Sequence, residues 1–259
     1  MTMKLATFNA NSIRARLPVV LDWLRRHQPD VLALQETKVV DELFPRKDFE
    51  AAGYQVAFRG QKAYNGVALV SKKPLRGVRV GLDDDGPPDE SRLIHARLGR
   101  LHLVNTYIPQ GQDIELPQYR YKLRWLARLR EYFDRHVHPD DQVIWMGDLN
   151  VARTPLDVHN PEDRARHVCY HEAARAAFEN VLAWGFDDVF RRHHPEPGHF
   201  TFFDYRTPRA VDHGMGWRLD YILASPPMAR RSTDAWIDLE PRRANPSSDH
   251  TFVVAGFKD

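Results

Sequence analysis

The sequence predicts a layered α/β protein, best described as a β-sandwich flanked by helices. Short apolar runs recur along the whole chain, and their length and β-branched content suit strands. Three longer segments instead carry helical spacing. The two kinds of segment are interspersed, which favours layers built from both.

In chain order the strand candidates are "KLATF", "DVLALQ", "YQVAF", "NGVALVS", "RLIHARL", "LHLVNTYI", "QVIWM", "FTFF", "RLDYILAS", "TDAWIDL" and "TFVVAGF". Helices are expected over 17–27, 118–135 and 171–184. In the last of these Ala173, Ala176, Ala177, Val181 and Leu182 share a helical spacing, and Gly185 follows as a stop. Strictly alternating βα units are missing, which counts against a TIM barrel or a simple Rossmann sheet. Neither a Walker loop nor a dinucleotide-binding glycine loop is present.

With 259 residues, 42% apolar and 28% charged, the chain has ordinary globular composition, and one folded unit over 1–259 is expected. The polar loop "LDDDGPPDE" (82–90) is no linker. Cys169 is the sole cysteine, so neither an intrachain disulfide nor a cysteine-based zinc site can form. No apolar segment is long enough for a signal peptide or a membrane span. A cytoplasmic protein without a membrane partner is therefore expected, and a monomeric one. Net charge is only +2, but residues 119–136 carry a dense basic face, and "MARR" and "PRRANP" add positive charge near the C-terminus.

Function is announced where the strand candidates end. "KLATFN" ends at Asn9, "DVLALQET" delivers Glu36, "LHLVNTY" delivers Tyr107, and "QVIWMGDLN" delivers Asp148 and Asn150. Asp220 lies inside the apolar "GWRLDYILAS", and Asp249 and His250 stand at the entrance of the last strand. Each has a bland reading. "GDLN" is ordinary turn material, Asp220 can face solvent because strand side chains alternate, and His250 can be a structural histidine. Coincidence across six segments is harder to sustain.

Together "ATFNANSIRARL", "LALQETK", "YNGVALVS", "NTYIPQG", "GDLNVA", "GWRLDYILAS" and "SDHTFVVAGF" resemble the motifs of the exonuclease III class of apurinic/apyrimidinic endonucleases, within the endonuclease/exonuclease/phosphatase superfamily. The resemblance runs from about residue 4 to residue 257. It implies a four-layer α/β sandwich, two packed mixed β-sheets flanked by helices, with the active site at one end. It also implies an Mg²⁺-dependent DNA repair phosphodiesterase, with Mn²⁺ able to substitute, acting on duplex DNA with abasic sites or damaged 3′ ends.

By that resemblance Glu36 ligates the metal, supported by Asn9 and Asp249. Asp148 orients or deprotonates the attacking water, Asn150 holds the phosphate, and His250 donates to a phosphoryl oxygen. Tyr107 and Asp220 act near the leaving oxygen, Tyr107 as a hydrogen-bond donor or a phenolate and Asp220 as a proton source. Phe202, Trp217 and Leu219 form an apolar pocket for a base-less sugar, with core packing as the alternative for each. Asn65 and Gln110 contact DNA phosphates as neutral donors.

The stretch 157–175 departs from the family pattern, and Phe203 stands where many relatives carry Trp. Bulky "CYH" (169–171) is expected beside the pocket entrance, obstructing an extrahelical abasic sugar while leaving a 3′ terminus accessible. Rival readings are a superfamily phosphatase for inositol phosphates or phospholipid head groups, and a DNA-binding relative without catalysis.

Overall fold

The computed structural model describes residues 2–88 and 90–258. Two six-stranded sheets pack face to face. The first contains β1 (Thr2–Asn9), β2 (Val31–Gln35), β3 (Gln55–Arg59), β4 (Val67–Ser71), β11 (Ser232–Asp238) and β12 (Phe252–Lys258), in the order β11-β12-β1-β2-β4-β3. The second contains β5 (Arg76–Val80), β6 (Leu93–Leu98), β7 (Leu101–Tyr107), β8 (Val143–Asp148), β9 (Asp187–Asp188) and β10 (Asp220–Ala224), in the order β5-β6-β7-β8-β10-β9. Both are mixed: β1/β2 and β7/β8 are parallel pairs among antiparallel neighbours.

Helix α1 (Ile13–His27) covers the outer face of the first sheet, where Ile13, Val20, Trp23 and Leu24 pack on Phe8, Leu32 and Phe252. The other outer face is covered by α3 (Pro117–His136) and α4 (Glu172–Leu182). Buried residues of α3 fall at 119, 122, 125, 126, 129, 132 and 133, which is the stripe that a 3.6-residue period directs to one side. Short helices α2 (Arg46–Ala51), α5 (Val189–His193) and α6 (Pro226–Ala229) complete the four-layer sandwich.

Period-2 alternation sorts each central strand between two apolar environments. In β8, Ile144 and Met146 enter the core between the sheets, while Val143 and Trp145 enter the core beneath the helices. In β10, Ile222 and Ala224 face inward and Tyr221 and Leu223 outward. Gly147 permits the tight β7/β8 approach: a Cβ there would meet the carbonyl oxygen of Thr106, at a φ of +142° that side chains rarely adopt.

Three sequence expectations need correction. "FTFF" (200–203) is not a sheet strand; Phe200 and Phe203 turn into a small core with Ala210, and Phe202 makes only isolated bridges to Trp217 and His250. The first helix begins at residue 13 rather than 17 and carries Pro18 within it. Two strands lacked a signal because β5 is exposed along its length and β9 has two residues.

Candidate active site

Continuing the inward-facing alternation brings the functional side chains to one end of the sandwich. Leu5 and Thr7 lead to Asn9, Leu103 and Asn105 to Tyr107, and Met146 to Asp148. Strand pairing sets the register, with Tyr107 opposite Asp148 and Asp148 opposite Asp220. Beneath them the Gln35 amide donates to Asn105 Oδ1 at 2.7 Å and to Thr7 at 2.9 Å, joining the sheets by a buried polar link.

Asn9 is fully buried, and its Nδ2 donates to Glu36 Oε1 at 2.7 Å and to Asp148 Oδ2 at 2.8 Å. Its Oδ1 accepts from the Asn11 backbone N–H at 2.9 Å. Asn9 therefore holds two carboxylates in place. Lys38 lies 2.8 Å from Glu36 Oε2. Burial of Glu36 penalises its charge, but Lys38 and the Asn9 hydrogen bond outweigh that and keep its pKa below the ordinary value. Asp249 lines the cavity and accepts from Asn11 Nδ2 at 3.0 Å.

Burial pushes the Asp148 carboxyl up to about 7; His250 opposes this, while Asp220 and Glu36 reinforce it. On its far side His250 Nδ1 meets Asp220 Oδ2 at 2.8 Å, and its Nε2 lies 3.7 Å from Asp148. Burial disfavours the imidazolium, but Asp220 and then Asp148 raise the His250 pKa to about 10. The imidazolium is thereby held between two carboxylates. Asp220 is thus the carboxylate that orients His250. It is fully buried and does not line the cavity, so it is not the proton source expected at the leaving oxygen.

Tyr107 lines the cavity, and burial followed by Glu36 and Asp148 holds its hydroxyl well above the usual phenol range. It is therefore a neutral donor and not a phenolate. Asn150, in left-handed conformation, donates from its backbone N–H to Asp148 Oδ1 at 3.0 Å and from Nδ2 to the Ile108 carbonyl at 3.0 Å.

These groups open into a cavity of about 490 Å³ whose apolar wall includes Phe202, Trp217 and Leu219. Trp217 and Leu219 also pack with Val158 and Ala174, so the wall is the exposed edge of a core. Gln110 lines both this cavity and an adjoining groove, and Asn65 lines the groove alone.

The obstruction predicted for Cys169-Tyr170-His171 does not occur as expected. Of the three only Cys169 reaches the cavity wall, and it is the smallest; Tyr170 is buried in the neighbouring core, and His171 caps α4 by accepting from the Ala173 N–H. His167 takes that place instead: its ring lies 4.3 Å from the Trp217 ring at 35°, with Arg164 6.0 Å over the same indole. Burial, then Lys122 and Arg164, lower the His167 pKa to about 4, so the ring is neutral near pH 7. Sequence reasoning passed over His167, Arg164, Lys38 and Asn11. Lys38 stands two residues from Glu36, and the other signal was the divergence of 157–175 itself.

A carboxylate-imidazole-amide cluster at one end of a two-sheet sandwich defines a class of metal-dependent phosphoesterases. The profile of the Endonuclease/Exonuclease/phosphatase family matches residues 6–250, and the chain belongs to that family. It is 34% identical to exodeoxyribonuclease III of Haemophilus influenzae, over 99% of this chain and 100% of that protein. Its structure is similar to that of an AP endonuclease from Archaeoglobus fulgidus, with TM-score 0.97 and 47% identity over 99% of this chain and 100% of the other. It is also similar to a 3′-5′ exonuclease from Neisseria meningitidis, with TM-score 0.94 and 35% identity over 99% and 100% of the chains.

Proposed function

We propose that this chain is an Mg²⁺-dependent DNA repair phosphodiesterase of the exonuclease III type that processes 3′ ends in preference to incising internal abasic sites. The relatives support the reaction class, and one observation carries the preference: the His167 ring covers Trp217, part of the wall that would receive a base-less sugar. A cytoplasmic location belongs to this reading, since the buried lone Cys169 needs no oxidising compartment.

The residues fit a hard divalent cation. Glu36, Asp148 and His250 present ligand atoms within 4.8 Å of one another, and the two carboxylates supply the oxygen donors such an ion prefers. Glu36 would hold the ion with Asp148 and Asp249 at its margin, leaving His250, oriented by the contact of its Nδ1 with Asp220, to face the phosphoryl group. The bound cation supplies charge neutralisation at the phosphoryl oxygens.

Asp148 orients water and takes its proton as the oxygen attacks phosphorus. His250, kept cationic by Asp220, donates to a phosphoryl oxygen where charge grows. Asn150 positions the phosphate, and Tyr107 donates toward the leaving oxygen as the phosphorus–oxygen bond breaks. Gln110 and Asn65 offer neutral donors along the adjoining groove, where duplex DNA lies.

Internal abasic incision is the second reading, and the 47% identity to an AP endonuclease favours it. Labelled duplexes bearing an internal abasic site, a 3′-phosphate at a nick or a recessed 3′ end decide between them, assayed with Mg²⁺ or EDTA. Asp148→Asn is the contamination control. Activity concentrated on 3′ ends is expected; equal or faster internal incision would reject the preference.

A further inference from the structure

The segment "HHPEPGH" (193–199) leads from α5 toward the Phe202 wall, and the reaction proposed above makes no use of it. His194, Glu196 and His199 present one ligand atom each, all within 4.8 Å of one another. None of the three lines the catalytic cavity. Two imidazoles and one carboxylate suit a borderline transition metal, whereas Mg²⁺ favours oxygen donors.

Ring orientations are fixed before any ligand arrives. Nε2 of His194 lies 2.7 Å from the carbonyl oxygen of Ala235 in β11, an acceptor only, so that nitrogen carries the proton. The other nitrogen, Nδ1, then faces Glu196 Oε1 at 3.1 Å, and His199 Nε2 meets the same oxygen at 2.8 Å. The Nε2–H held by the Ala235 carbonyl is the outer-shell arrangement of a metal-binding histidine, while a contact of Nδ1 with a carboxylate oxygen needs a proton between them, which a metal ion at that point would displace. Buried Phe190 supports both rings, stacked on His194 at 4.7 Å and edge-on to His199 at 5.3 Å. Pro195 and Pro197 flank Glu196 and limit its backbone freedom.

We infer that His194 Nδ1, Glu196 and His199 Nε2 form a second metal site for Zn²⁺ or a similar transition-metal ion, with water completing the coordination. Bonds of about 2.0–2.1 Å in a tetrahedral site place ligand atoms about 3.3 Å apart, so the two contacts to Glu196 spread by a few tenths of an ångström on binding. The ion would fasten the 194–199 loop, which follows α5, while His194 remains bonded to β11 of the other sheet. Its consequence is a conformational restraint on the segment that continues into Phe202. The site is independent of the nuclease reading.

The test is Zn²⁺ titration of the full chain by calorimetry under excess Mg²⁺, repeated with Co²⁺ for its visible ligand-field bands. Three variants are compared: His199→Gln, Glu196→Gln, and Glu36→Gln, which separates any binding at the catalytic cluster. His193→Ala is the neighbouring control, because that ring is held by Ser232. One Zn²⁺ equivalent should persist in the Glu36 and His193 variants. Its affinity should weaken by at least about tenfold in the His199 and Glu196 variants, given that outer-shell changes alone cost that much. Circular dichroism verifies that these half-exposed positions leave the fold intact. No equivalent beyond that lost in Glu36→Gln, or unchanged affinity in both His199→Gln and Glu196→Gln, would overturn the site.

Discussion

His250 Nδ1 and Asp220 Oδ2 lie 2.8 Å apart in a fully buried contact between β10 and the entrance of β12. The pair joins the two sheets at the end where the cavity opens. Because Asp220 is the largest upward influence on His250, the charge that the proposed mechanism draws from His250 depends on a buried residue outside the cavity lining.

Asp220→Asn should therefore lower kcat by a factor on the order of 10²–10⁴, the range associated with a positioned acid or base. It should also move the alkaline limb of the pH–rate profile to lower pH, because the His250 pKa falls when its anionic partner is removed. For stability the sign runs the same way. With its folded pKa raised to about 10 from 6.5, His250 contributes stability that is full below about 6.5 and lost as pH rises through about 10. A profile of kcat/KM against pH checks the shift, and an unmoved alkaline limb would contradict the pairing.

On the proposed preference for 3′ ends, the contact between His167 and Trp217 governs entry to the pocket. Aromatic stacks of this sort are worth about 0.5–1.5 kcal/mol, so displacing the ring costs an entering sugar about two- to tenfold. His167→Gly should raise internal abasic incision by at least that factor and leave 3′-phosphate removal nearly unchanged. Since burial holds the ring neutral down to about pH 4, the selectivity of the wild type should be flat between pH 6 and 8. Parallel rates on the two substrates across that range measure both effects.

The fold was legible because the central strands are continuous apolar runs of strand length, buried on both faces; once the sheets are in place, counting by twos from Leu103 or Met146 reaches Tyr107 and Asp148. Asp220 was harder. A carboxylate in an apolar strand reads equally well as solvent-facing, and only the second sheet, packed on its face, makes that position the inner wall of a site. "FTFF" misled for the opposite reason, since its phenylalanines serve a local core and a bridge instead of a ladder. The Cys169-Tyr170-His171 triplet carried a bulk signal without a direction, and a loop's direction comes from partners such as Lys122 and Asn150 that lie far away in sequence.

The loop behind Trp217 rests on a buried ion network. Asp157 accepts from Arg218 Nε at 2.7 Å and from Arg191 Nη2 at 2.7 Å, and Arg218 also binds Asp188 at 2.6 Å. Burial raises the Asp157 pKa, but Arg218 and then Arg191 outweigh it and bring it to about 2. Its contribution to stability is thus complete above about 3.8 and fades as pH falls toward 2. Removing one member of a buried pair costs about 3–5 kcal/mol. Asp157→Asn should lose that much in urea unfolding at pH 7, with the difference from wild type shrinking at acid pH.

Lys122 is the last support under the catalytic loop. Its Nζ is fully buried in α3 and donates to the carbonyls of Asn150 at 2.7 Å, Val168 at 2.8 Å and Gln110 at 3.2 Å. Burial lowers its pKa, opposed by Cys169 and Asp148. Those carbonyls belong to three separate segments: the turn carrying Asn150, the loop carrying His167, and the strand exit carrying Gln110. Lys122→Met keeps the length of the side chain but removes every donor, and each unpaired acceptor costs about 1–3 kcal/mol. A stability loss of about 3 kcal/mol or more is expected in denaturant. The kinetic signature is more specific: the Asn150 N–H holds Asp148 Oδ1, so loosening that turn misplaces the carboxylate that activates water and should lower kcat with little change in KM. Single-turnover rates under saturating DNA, measured where the variant remains folded, separate that effect from instability. A variant with reduced stability but an unchanged single-turnover rate would reduce Lys122 to a structural strut.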